Sequence, residues 1–297
     1  MQKLCAAALF CALLLSLCAC AATPSAPQPD CIAATTYPVW QFTVAVTENT
    51  DLNVERVITE PVSCLHDYSL SVAQMKALEK CSAVVISGLG LEDFMADVLP
   101  SGDALIDASA GIETLCADEH EAGHDHHGHD HGEADPHIWL DPARAAQMVR
   151  NIRDGLSSRY PQYREIFAQN AAAYCDRLAA LSDEIHDGLS KLSCRQLVTF
   201  HDGFSYFADA FGLEIAAAME VEAGSEVPAK ELEEIVRLVQ QLDIPAVFAE
   251  QSGDTAAASI VAGETGAQLL TLDMGMSERD YFSAMRHNYE TIKGAME

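Results

Sequence analysis

The sequence predicts an α/β fold of two lobes, each a small parallel sheet flanked by helices. Three observations lead there. A chain of 297 residues exceeds a typical single domain, and 49% hydrophobic with 21% charged residues describes a folded protein. Short apolar runs alternate with helical patterns in both halves, as parallel βαβ units do. Between the halves, from about Tyr163 to Leu192, helical periodicity runs unbroken for long enough to reach across two domains.

In chain order, residues 1–19 read as an export signal. Lys3 precedes an apolar run from Leu4 to Leu17, too short to cross a bilayer at about 1.5 Å per residue. Leu17, Ala19 and Cys20 resemble a bacterial lipobox, which implies that Cys20 becomes the lipidated first residue of the mature protein and holds it to the outer face of the cell membrane. Residues 20–30, CAATPSAPQPD, then form a flexible Pro-rich tether. The N-terminal lobe is expected over 31–160, where IAATT, NVERVI, AVVIS and ALID alternate with the helical patterns VWQFTVAV, SVAQMKALEK and LEDFMADVL. Residues 118–133, DEHEAGHDHHGHDHGE, are almost devoid of apolar side chains and form a surface loop. A helix follows from Pro142 to Leu156, with proline suited to its first turn.

The linking helix is expected over 161–192, with Ile166, Phe167, Ala171, Tyr174, Leu178, Leu181, Ile185 and Leu189 on its apolar face. The C-terminal lobe, 193–297, repeats the alternation. Its strands are RQLVTF, LEIAAAM, IPAVFAE and AQLLTLD, with helices between them and a last helix from Asp280.

A net charge of −28 disfavours nucleic acid and anionic lipid headgroups as partners. Once the signal is removed and Cys20 lipidated, Cys31, Cys64, Cys81, Cys116, Cys175 and Cys194 remain. Outside the cytoplasm these permit disulfides, with the pairing open; they contain no CxxC pair for a cysteine zinc site.

The residues that carry chemistry are His66 in CLHDYSLS, His137 in DPHIWLDP, His201 in TFHDGFSYF and Asp273 at the end of LLTLD. Three of these four lie at or near the carboxyl ends of strands, where open α/β sheets place their ligands. Neutral imidazoles and one carboxylate suit zinc in a closed tetrahedral site. Asp135, Asp202 and Glu250 are candidates to orient the metal-bound rings, since a ligating imidazole donates its other N–H to a carboxylate or carbonyl. His186 and His287 lie on helices as structural residues. The loop histidines His120, His124, His126, His127, His129 and His131 form an auxiliary weak metal site. No HExxH or GxSxG motif is present, so an enzyme, above all a zinc hydrolase, is the rival and not the expected class.

Read together, TTYPVWQF, HDYSLSVAQMKAL, VVISGLGLEDF, DPHIWLDP, FHDGFSYFADAFGL, IPAVFAEQS and ETGAQLLTLD resemble the metal-ion substrate-binding lipoproteins of zinc and manganese ABC importers, in order and spacing, over residues 31–297. That resemblance implies two lobes joined by one long rigid helix, with the metal between them. It implies three histidine ligands at His66, His137 and His201, and Asp273 as the fourth. Histidine at the third position points to zinc over manganese or iron. The implied partners are an importer permease and its ATPase, with the protein itself a monomer; a metal-binding adhesin is the further alternative.

Overall fold

Cys31–Ala34 (β1), Asn53–Arg56 (β2), Ala83–Ile86 (β3) and Leu105–Asp107 (β4) form a parallel sheet in the order β2-β1-β3-β4. Gln196–Phe200 (β5), Glu214–Ala218 (β6), Ala246–Glu250 (β7) and Gln268–Leu272 (β8) form a second parallel sheet in the matching order β6-β5-β7-β8. The structure is a computed structural model and describes residues 30–60, 65, 68–115, 134–219, 227–276 and 279–297. Cys20, Cys64, His66, Cys116 and the six loop histidines lie outside them. The two-lobed α/β architecture expected from the alternation is present. Strands β3 and β7 are buried at every position, which is why they read as continuous apolar runs and not as alternating ones.

The helices cover these sheets. They are Tyr37–Thr47 (α1), Val72–Lys80 (α2), Pro142–Arg159 (α3), Arg164–Leu189 (α4), Ser205–Phe211 (α5), Ala229–Gln241 (α6), Ala256–Thr265 (α7) and Tyr281–Met296 (α8). Pro142 sits in the first turn of α3, and Asp141 caps that helix by accepting from Ala143 N at 2.7 Å. Helix α2 opens with a capping box between Ser71 and Gln74, and Gln74 Nε2 also donates to Val57 O at 2.9 Å.

One helical expectation is revised. LEDFMADVL forms a short 3₁₀ helix over Asp93–Val98 in place of an α-helix. Glu92, at its start, turns its carboxylate back onto the end of β3 and is committed there, and Pro100 prevents the helix from extending.

The long helix α4 spans 26 residues, about 39 Å at 1.5 Å per residue. Phe167, Ala171, Tyr174, Leu178, Leu181, Ile185 and Leu189 are its buried face, recurring every three or four positions. Near the C-terminal end of α4, Glu184 binds Arg286 of α8 through both carboxylate oxygens, at 2.8 to 3.1 Å. Gly188 faces the ring of Tyr289, where a Cβ would lie 2.2 Å from the phenolic oxygen. At the other end, Phe42 of α1 meets Tyr174 of α4 and Tyr281 of α8, with centroids 5.8 and 5.3 Å apart. Tyr281 N donates to Gln41 Oε1 at 2.8 Å, and its hydroxyl to Trp139 O at 2.7 Å. One apolar core therefore runs through both sheets and the helices between them.

Cys31 and Cys81 form a disulfide that ties the start of β1 to the segment entering β3. Cys175 and Cys194 carry no disulfide among the described residues. Burial pushes the Cys175 thiol above its ordinary value.

Candidate metal centre

The two sheets have the same strand order, and in each the chain crosses over after its second strand to the far side of its first. That reversal leaves a crevice at the carboxyl ends of β1 and β3, and another at those of β5 and β7. His201 is the residue after β5, Glu250 is the last of β7, and Asp273 follows β8. Three polar side chains thus project from the carboxyl edge of one sheet. They are almost entirely buried: His201 is 7%, Glu250 3% and Asp273 1% exposed.

His137 reaches the same place from outside the sheet. Asp135 Oδ1 accepts from the backbone N–H of His137 at 2.9 Å, closing a tight turn, and lies 2.7 Å from the ring Nδ1. An ionised carboxylate only accepts, so Nδ1 carries the proton and Nε2 is the atom to coordinate. Tyr206 Oη donates to Asp135 O at 2.9 Å, and the Ile138–Leu140 turn that follows is completely buried. Trp139 Nε1 donates to Met274 O at 2.7 Å, which joins this turn to the residue after Asp273.

The rings of His137 and His201 come together, with centroids 5.4 Å apart and planes at 82°. Two imidazoles on one tetrahedral zinc, each Zn–N bond about 2.0–2.1 Å long, would place their centroids about 5 Å apart. The spacing fits. Glu250 Oε2 stands 3.6 Å from His201 Nδ1, so a carboxylate faces the Nδ1 edge of each ring, and the chemistry of the pair is that of two oriented neutral donors. Among the described residues Asp202 hydrogen-bonds to neither ring. Loss of surrounding water and the neighbouring Asp135 charge raise its carboxyl above the ordinary value, partly offset by His137.

Asp273 is positioned differently. Its backbone is locked by reciprocal bonds with Asn288, N to Oδ1 and Nδ2 to O, both 2.7 Å. Its Oδ1 accepts from Gly275 N at 2.8 Å, and its Oδ2 lies 3.1 Å from Arg279 Nη1. The donor atoms of His137, His201 and Asp273 do not all fall within 4.8 Å of one another. The described group that meets this spacing is Cys31, Glu55 and Cys81, whose two sulfurs are consumed by the disulfide.

Four contributors escaped the reading of the sequence. Gly203 packs so closely that a Cβ there would lie 2.4 Å from the Met274 methyl, 2.9 Å from His201 Cδ2 and 3.1 Å from His137 Nδ1. Trp139 and Met274 bridge the two segments, and Arg279 pairs with Asp273. Only Gly203 left a local signal, as the third residue of HDG beside a candidate ligand.

Comparison with known proteins gives the family to which the fold belongs. The zinc-binding lipoprotein AdcA of Streptococcus pneumoniae is 33% identical over 304 residues, covering 95% of this chain and 60% of its own length. A putative metal-binding protein of Treponema pallidum is 31% identical, covering 76% of this chain and 75% of its own. The chain thus spans about three fifths of the AdcA relatives it matches. Among solved structures, that of ZnuA superposes with a TM-score of 0.79 at 26% identity, covering 91% of this chain and all of the other. The Zn(II)-bound ZnuA-like domain of Streptococcus pneumoniae AdcA superposes with a TM-score of 0.74 at 28% identity, covering 90% and 99%. A family model described as zinc-uptake complex component A, periplasmic, matches residues 32–295, and this chain belongs to that family.

Proposed function

We propose that this protein is a high-affinity zinc-binding component of an ABC importer, working outside the cytoplasm and handing zinc to the importer's permease. The observation that carries the reading is the His137–His201 pair, His201 buried at the carboxyl edge of a sheet and His137 half-buried beside it, at the separation one zinc ion requires, with a carboxylate facing each Nδ1. Relatives named for zinc binding, and a Zn(II)-bound structure of the same fold, support it. In this reading His66 is the third imidazole and Asp273 the fourth ligand. Four protein ligands close the coordination sphere, which suits capture and transport and leaves no open position for a catalytic water. The ion is cargo.

The remaining parts of the reading concern attachment and supply. Cys20 carries lipid and tethers the protein to the membrane, and the protein works as a monomer. The histidines of 118–133 collect zinc weakly, because a flexible segment loses ordering entropy with every complex it forms. No helix among the described residues is long and apolar enough to cross a membrane.

Calorimetry on metal-stripped protein is expected to show one tight zinc site and weaker manganese binding, following the Irving–Williams order. His201→Ala should weaken zinc binding by at least a hundredfold, the upper range found when a supporting contact to a ligand is lost. Manganese bound more tightly than zinc, or unchanged zinc affinity in His201→Ala, would overturn the reading.

A further inference from the structure

We propose that Arg279 sets the zinc affinity of this protein by competing with the ion for the Asp273 carboxylate. The proposal rests on the reading of Asp273 as a ligand and adds a residue that no ligand set contains. Asp273 is 1% exposed, and a buried carboxylate is costly unless it is paired and hydrogen-bonded. Among the described contacts, Arg279 Nη1 lies 3.1 Å from Oδ2 and the Gly275 N–H donates to Oδ1 at 2.8 Å. Held so, the Asp273 carboxylate oxygen and the ring nitrogens of His137 and His201 are not all within 4.8 Å of one another.

The parts that must move and the parts that must stay are separated. Asn288 locks the Asp273 backbone from both sides, which confines any rearrangement to the side-chain torsions. The Arg279 side chain is 34% exposed and also donates to Gln251 Oε1 at 3.2 Å, an exposed residue just past β7. It therefore has a neutral partner at the surface when it leaves the carboxylate. A guanidinium beside a bound dication is repelled, so zinc coordination by Asp273 and the Arg279–Asp273 pair are alternatives. Arg279 stands in for the charge of the metal while the site is empty, and weakens binding enough for the ion to be given up.

The test is a double-mutant cycle on the full chain, with zinc affinity measured by competition against a chelator and metal-free stability by thermal melting. Arg279→Gln should bind zinc about tenfold more tightly, as expected for a contacting charged pair of ordinary coupling strength. It should also melt at a lower temperature when metal-free. Asp273→Asn should weaken zinc binding, and adding Arg279→Gln to it should change affinity no further. Arg279→Lys, which keeps the charge, should stay near the wild-type affinity and keeps the comparison available if Arg279→Gln folds poorly. If Asp273→Asn left zinc affinity unchanged, the ligand reading itself would fall. If Asp273→Asn weakened binding while Arg279→Gln weakened it too or left it unaltered, Arg279 would be a support for the ligand and only the competition would be refuted. Tightening of equal size in both backgrounds would show that Arg279 acts through its general charge and not through Asp273.

Discussion

Glu92 shows what one side chain does to hold a crevice in shape. It is 3% exposed, and its carboxylate accepts from Thr35 Oγ1 at 2.6 Å, Ser87 N at 2.7 Å and Gly88 N at 3.0 Å. It thereby clamps the carboxyl ends of β1 and β3. Burial raises its pKa above the ordinary 4.5, and the three donors offset that rise only in part. Glu92→Gln keeps the volume but turns an amide N–H₂ towards one of the donors, at a cost of about 1–3 kcal/mol. Since the folded-state pKa exceeds the unfolded one, the contribution of Glu92 is complete below the unfolded value and is lost as pH rises through the folded value. The stability gap between wild type and Glu92→Gln, from denaturant melts, should therefore be largest at acid pH and narrow towards neutrality. A gap that widened with rising pH would contradict this account.

At the scale of elements, the Cys31–Cys81 disulfide and the candidate metal centre occupy opposite ends of their sheets. The disulfide joins the amino end of β1 to the entry of β3 and closes a loop of 50 residues. His201, Glu250 and Asp273 stand at carboxyl ends, in the other sheet. Replacing both cysteines by serine should lower stability by about 4 kcal/mol on the chain-entropy account for a loop of that length. Zinc affinity should be unaffected, because the strand ends that carry the site keep their own hydrogen-bonded register. A loss of affinity measured by calorimetry in the same variant would show that the two ends of the fold are coupled.

For the whole molecule, the decisive feature is that the buried apolar residues of both sheets and of the helices between them form one cluster among the described residues. Phe42, Tyr174, Tyr281 and Phe282 form a chain of ring contacts at 5.1 to 5.8 Å that includes helices of both halves. Tyr281 alone bonds to Gln41 and to Trp139, 240 and 142 positions away. Such a core predicts one cooperative thermal transition for metal-free protein, with calorimetric and van't Hoff enthalpies equal. Two resolved transitions would show that the lobes unfold independently. A continuous core also limits how far the lobes can separate, which on the proposed reading leaves the Asp273 carboxylate and its Arg279 partner as the place for zinc uptake and release to be tuned.

The amino-acid sequence by itself determined the strands, the long helix and the kind of donor at each candidate position. Apolar runs and three-to-four spacing are local, so AVFAE reads as a buried strand and Phe167 to Leu189 as one helical face without knowledge of their neighbours. The bond from His137 to Asp135 was legible for the same reason, with one residue between a carboxylate and the ring it orients. What only the tertiary structure decided is which distant residues meet. Cys31 could have paired with any of five other cysteines, and Glu250 could have capped a helix. Trp139 gives no sign in sequence that its indole reaches Met274, 135 residues on. Arg279 lies only six residues after Asp273, yet nothing marks it as the partner of that carboxylate. These pairings depend on the order of strands within each sheet and on the path the chain takes between them. That order follows from the burial of the whole apolar surface at once, which no short stretch of sequence encodes.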